Sequence, residues 1–153
     1  KNREAVLQVG RAFRLGGAGW KQDDAAAERF FAMSLEGASE DEEASRWLKG
    51  LSHYRIAQMW DESAQTSELP PEPDLAQKHY LEAARLYPEL AILPCLRFLI
   101  SQKTDEANQK ATQISEATLK QFQKSKDESS GDTFYTKKIG EINELRQQLI
   151  AVP

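Results

Sequence analysis

The chain has 153 residues, with 20 Lys and Arg against 24 Asp and Glu for a formal net charge of -4; the basic residues are scattered, so no nucleic-acid footprint is expected. Cys95 stands alone, which excludes an intrachain disulfide framework and fits a reducing compartment such as the cytoplasm. The longest strongly apolar run, residues 90–100, is too short to span a bilayer and carries Arg97, so no membrane span is expected. The first residue is Lys and no signal-like apolar segment follows it, which reads as a fragment or a processed chain.

Periodicity predicts helices almost throughout. In the first segment Ala5, Val9, Ala12 and Phe13 take the three-and-four spacing of one helix face, and a glycine cluster at Gly16, Gly17 and Gly19 then stops the pattern. Gly16 is expected to close that helix in the left-handed conformation. Asp23 is expected to cap a second helix over residues 24–35, in which Ala25, Ala26 and Ala27 precede Phe30 and Phe31. Gly10 sits inside the first helix at a cost of roughly 1 kcal/mol against alanine, which close helix packing would offset. The opening stretch therefore reads as one antiparallel helix pair.

Two polar stretches, residues 36–45 and 61–74, read as long loops, the second because Pro70, Pro71 and Pro73 prevent helix continuation. Ser39 with Glu42 and Asp74 with Gln77 have the spacing of capping pairs, so helices are expected to restart near them. The acidic run 40–43 reads as a solvated first helical turn, with phosphorylation of Ser39 by an acidophilic kinase as the sharper alternative. Beyond Pro88 a helix through Cys95 and Phe98 is apolar nearly all round, and Pro94 either starts it or kinks it. A longer polar helix follows over residues 104–126, with Ala107, Ala111, Ile114, Leu119 and Phe122 near one face. After the break at residues 127–132, a last helix over about 136–151 carries Ile139, Ile142, Leu145 and Leu149 in a narrow stripe, as expected for packing on a neighbouring helix.

Residues 27–34, "AERFFAMS", align without gaps to residues 76–83, "AQKHYLEA". Residues 79–88, "HYLEAARLYP", resemble the end of the second helix of a tetratricopeptide repeat, with Tyr80, Ala83, Leu86 and Pro88 matching. Residues 47–54, "WLKGLSHY", resemble its first helix, with Leu and Gly exchanged at Gly50 and Leu51. The glycine-rich opening is more similar to the Sel-one-like variant, which Val9, Gly10, Phe13, Gly16, Asp23, Ala27, Phe30 and Phe31 fit with one residue inserted near Gly17. The interval from Ala27 to Ala76 exceeds the roughly 34 residues of a standard unit, and the two polar loops hold the surplus.

The resemblance implies an all-α fold, an α-solenoid of antiparallel helix pairs over residues 1–102, with residues 103–153 as a C-terminal helical cap or extension. It also implies a concave face lined by the first helix of each pair. Its groove positions fall on Leu7, Arg11 and Arg14 in the first pair, Leu48, Ser52 and Arg55 in the second, and Leu99 in the third. A partner mixing acidic and apolar residues would suit three arginines there. Where chaperone-tail-binding members of the family carry a Lys and Asn carboxylate clamp, the matching places hold Leu7 and Arg11, then Leu48 and Ser52, so the clamp is not expected.

No catalytic constellation stands out. Cys95 lies in an apolar setting that predicts an inert thiol, even with His53 and His79 available as bases. The two histidines lack zinc-ligand spacing. Gly16, Gly17 and Gly19 lack the Lys and Ser or Thr of a phosphate loop. No enzyme activity, cofactor or metal is expected. The sequence reads as a protein–protein interaction scaffold or adaptor holding a partner peptide or helix. A structural subunit of a larger assembly, and a regulatory domain cut from a longer enzyme, are the alternatives.

Overall fold

The computed structural model describes residues 3–16, 23–36, 41–61, 72–128 and 133–150. These residues form seven helices: α1 (Arg3–Leu15), α2 (Asp24–Leu35), α3 (Glu43–Trp60), α4 (Pro73–Leu86), α5 (Pro88–Gln102), α6 (Asp105–Glu128) and α7 (Thr133–Ile150). No strand occurs among the described residues, and the fold is all-α.

The first pair forms for local reasons. Gly16 closes α1 at φ 69°, as expected of a residue without a side chain, and its N–H donates to Ala12 O at 2.9 Å. Asp23 takes extended backbone ahead of α2, and its carboxylate accepts from the Ala26 N–H at 3.0 Å. A Cβ built on Gly10 would sit 2.7 Å from the Phe31 ring and 3.2 Å from Ala27 O, so the glycine is what lets the two helices meet. Arg14 near the end of α1 reaches Asp24 at the start of α2, while Gly10 meets Ala27 and Phe31 further along. The pair is therefore antiparallel. The buried face of α1 runs through Leu7, Gly10 and Arg14, which corrects the expected face of Ala5, Val9, Ala12 and Phe13: Ala5 is exposed and the other three are half-buried.

The second pair, α3 with α4, is antiparallel by the same logic. The Glu72 N–H donates to Trp60 O at 3.0 Å, His53 meets His79, and a Cβ on Gly50 would lie 2.6 Å from Tyr87 Cβ. Neither helix starts on an expected capping pair. Glu42 and Glu72 occupy the caps with no side-chain capping bond; Pro73 takes the first helical position, where its missing N–H costs nothing, and Asp74 lies in the first turn. Ser39 lies outside the described residues.

Tyr87 joins α4 to α5, its N–H donating to Ala83 O at 2.8 Å and its carbonyl accepting from Ala91 N–H at 3.0 Å. Pro88 opens α5 and Pro94 lies within it, where the proline removes one helical hydrogen bond. α5 buries residues on every side, including Ile92, Leu96 and Leu99, each contributing about 1.5–3 kcal/mol by leaving water. Lys103 ends it in the left-handed conformation, φ 56° and ψ 40°. The Thr104 hydroxyl then caps α6 by accepting from Ala107 N–H at 3.1 Å.

α6 and α7 pack on each other and both pack on α5. Their contacts run antiparallel, with Phe122 against Tyr135 and Arg146 against Glu116. The α7 stripe turns inward as expected: Ile142 is buried, and Ile139, Leu145 and Leu149 pack against the core. On α6 the buried line is Ala107, Ala111, Ser115, Thr118 and Phe122, while the expected Ile114 and Leu119 flank it half-buried. Ser115 is tolerated because its hydroxyl donates to Thr112 O at 3.0 Å. One hydrophobic cluster runs from Leu7 and Phe31 through α3, α4 and α5 to Phe122 and Ile142.

Candidate functional site

The expected groove residues divide into two sets. Arg11, Leu48 and Arg55 are exposed. Leu7, Arg14, Ser52 and Leu99 are buried, and this corrects their placement on an open groove. Ser52 donates back to Leu48 O at 3.0 Å. Leu7 and Leu99 belong to the core cluster. Arg14 is fully buried: its guanidinium pairs with Asp24 at 3.2 Å, donates to Met59 O at 3.4 Å and lies 4.9 Å from the Trp60 ring centroid. This arginine ties α1 to α2 and α3. Its spacing from Leu7 and Gly10 is the sequence signal that places it on the inward face.

Of the exposed residues only Arg55 makes a contact between α1 and α3. Glu4 and Arg11 occupy one stripe of α1 and Leu48 and Arg55 one stripe of α3, each pair two turns apart. An ion pair from Arg55 to Glu4 at 2.9 Å joins the stripes, with both side chains well exposed. Leu48 is 56 % exposed and its neighbour Trp47 36 %, so the first turns of α3 present two adjacent large apolar side chains to solvent.

A buried polar cluster joins α2, α3 and α4, from residues too far apart in sequence for local spacing to announce it. Nδ1 of His53 and Nδ1 of His79 stand 2.9 Å apart, and His79 Nε2 is 2.8 Å from Glu28 Oε1. Trp60 Nε1 donates to Glu28 Oε2 at 3.0 Å, and Lys78 adds an ion pair at 3.4 Å. Burial, then the facing His79, pushes the His53 imidazole down from 6.5 to about 4. Burial works to raise the Glu28 carboxyl, but the hydrogen bond and charge of His79, with Lys78 and Trp60, outweigh it and hold the group below its ordinary value. One proton fits between the two facing Nδ1 atoms, so one ring donates and the other accepts, and with Glu28 the pair ties α2, α3 and α4 together. Nearby, the Tyr80 hydroxyl donates to Asp61 Oδ2 at 3.0 Å, and burial followed by that carboxylate raises its pKa. Cys95 is fully buried, and burial pushes its thiol up to about 12. Among the described residues no group of three His, Cys, Asp or Glu converges to hold a metal ion.

A cleft of about 340 Å³ opens where the start of α3 meets the α4–α5 joint and the α6–α7 pair. α3 supplies Glu43, Arg46 and Trp47, α4 and α5 supply Arg85 and Glu89, and Gln121, Ser125 and Tyr135 face them. The Trp47 ring stacks on Tyr87 with centroids 5.5 Å apart and planes at 19°, so its orientation is fixed. Arg85 pairs with Glu82 at 2.8 Å. Glu89 Oε2 accepts from the Tyr135 hydroxyl at 3.2 Å, whereas Oε1 is buried with no hydrogen-bond partner among the described residues. Such an unmade bond costs about 1–3 kcal/mol. The cleft is not legible in the sequence, because Trp47 and Glu89 come together only through the turn at Tyr87.

Comparisons with protein-family models, with curated proteins and with solved structures give no match to the chain. No described helix is long and apolar enough to cross a membrane.

Proposed function

We propose that this chain is a non-enzymatic protein-interaction module, a short α-solenoid of tetratricopeptide-like and Sel-one-like helix pairs that holds a partner segment on the exposed face of its first helices. The last two helices cover the apolar end of the stack. One observation supports the reading: the first helices of two consecutive antiparallel pairs are joined by the Glu4–Arg55 ion pair, and Arg11, Leu48 and Arg55 on those helices are each exposed. A surface of that kind suits an acidic, amphipathic partner helix or extended peptide, with the charges steering approach and the apolar contacts supplying affinity.

The test uses the intact chain with a photo-crosslinking residue at position 48, followed by titration of the captured partner. Leu48→Asp, and Arg11→Glu combined with Arg55→Glu, should each weaken binding about tenfold or more, the charge variant with the steeper loss at low salt. A partner that crosslinks from position 48 yet binds both variants unchanged would show that the face is not its docking surface.

A further inference from the structure

On a surface that shares no residue with the face of the first helices, we infer that α7 pairs with α7 of a second copy of this chain, antiparallel and about a two-fold axis. Phe134, Lys138, Glu141 and Leu145 follow one another along α7 at intervals of four, three and four residues. On a helix of 3.6 residues per turn they fall within about 60° of one another and make one line along its surface. Arg146, which reaches Glu116 on α6, lies on the other flank of the buried Ile142. The line is open in part: Phe134 is 43 % exposed, and Lys138, Glu141 and Leu145 are half-buried. Among the described residues Glu141 makes no hydrogen bond or ion pair, and the Lys138 ammonium has only the Phe134 ring of its own helix, 5.6 Å from the centroid.

Read forward, the line is apolar, basic, acidic, apolar; read backward, it is apolar, acidic, basic, apolar. It is therefore its own complement when laid antiparallel, the property that a two-fold interface requires. With the axis passing between Ile139 and Gly140, Phe134 of each copy meets Leu145 of the other, and Lys138 meets Glu141, so every contact is made twice. Lys137 and Glu144, both exposed, flank the line with the same order of charge. A parallel pairing would instead set Lys138 on Lys138 and Glu141 on Glu141, which like charge disfavours. The apolar contacts at the two ends supply attraction, and the charges between them fix direction and register. One helix on one helix buries less than about 1,200 Å², the size of contacts that form and part readily.

The experiment is sedimentation equilibrium of the intact chain from about 10 µM to about 1 mM, with the Lys138→Glu and Glu141→Lys variants run separately and then mixed one to one. The wild type should show a monomer–dimer equilibrium. Each variant alone sets like charges across the axis and should self-associate at least about tenfold more weakly, a difference of 1.4 kcal/mol. The mixture places opposite charges at both central contacts and should regain the wild-type association, which a merely structural role of either residue would not bring about. Phe134→Ala should weaken the wild-type pair as well. Circular dichroism of each variant at low concentration checks that the helices are intact. A wild type that stays monomeric across the series, single variants that associate as strongly as the wild type, or a mixture as monomeric as its components would each overturn the pairing.

Discussion

Arg14 and Arg11 lie three residues apart and face opposite environments, so the same substitution should have very different costs. Arg14→Glu places an anion against Asp24 in a fully buried site, and a loss of about 3–5 kcal/mol is expected. Arg11→Glu, at an exposed position, should stay within about 0.5 kcal/mol. Thermal melts by circular dichroism separate the two; equal melting temperatures would contradict the burial of Arg14. His53 predicts a pH dependence. Its folded pKa of about 4 lies below the ordinary 6.5, so the unfolded chain takes up a proton that the folded chain refuses. The associated stability, about 3 kcal/mol at full size, is complete above the upper value and lost as pH falls through the lower one. The depressed Glu28 carboxyl acts in the same direction below 4.5. Urea midpoints should therefore fall steadily on acidification, and His53→Gln should flatten that fall. A wild-type midpoint independent of pH across this window would remove the coupling between the two rings.

At the scale of the helix, two glycines should respond with opposite signs. Gly10→Ala gains helix propensity of about 1 kcal/mol. It also drives a methyl group to 2.7 Å from the buried Phe31 ring, which is itself edge-on to Trp60. Overpacking of about 1–3 kcal/mol wins, and the variant should melt lower. Gly140 has nothing within 4 Å of its added Cβ, so Gly140→Ala should raise stability by about 0.5–1 kcal/mol. A stabilised Gly10→Ala would mean that α1 and α2 sit further apart than described. What was legible in the sequence follows the same division. The bounds of α2, the left-handed Gly16 and the Asp23 cap rest on neighbours within a few residues, and each was readable. The start of α3 was not, since Glu42 caps without a side-chain bond. The burial of Arg14 and the meeting of His53 with Glu28 depend on groups far away in sequence, which no local spacing announces.

At the scale of the molecule, the seven described helices share one core, with α5 at its centre and α6 and α7 covering it. Ending the chain at Gln102 should uncover the apolar sides of α5 around Leu96 and Leu99, so the shortened protein should self-associate and bind a hydrophobic dye. Sedimentation velocity across a concentration series checks this. A monomeric, equally stable product would show that the last two helices are an appendage rather than a cover.

The contact between α2 and α3 is short, confined largely to the edge of Phe31 on Trp60 and the bonds of Glu28, whereas α1 and α2 meet along much of their length. A chain built this way opens in leaves. Swinging the amino-terminal leaf away parts Phe31 and Arg14 from Trp60 and breaks the Arg14–Met59 bond and the bonds of Glu28, uncovering Trp60, while α4 to α7 keep their contacts with one another. Backbone amides in α1 and α2 should accordingly exchange with deuterium sooner than those of α5, and as a block. A single opening free energy with one steep denaturant dependence, shared by the amides of all seven described helices, would mean instead that the molecule opens only as a whole.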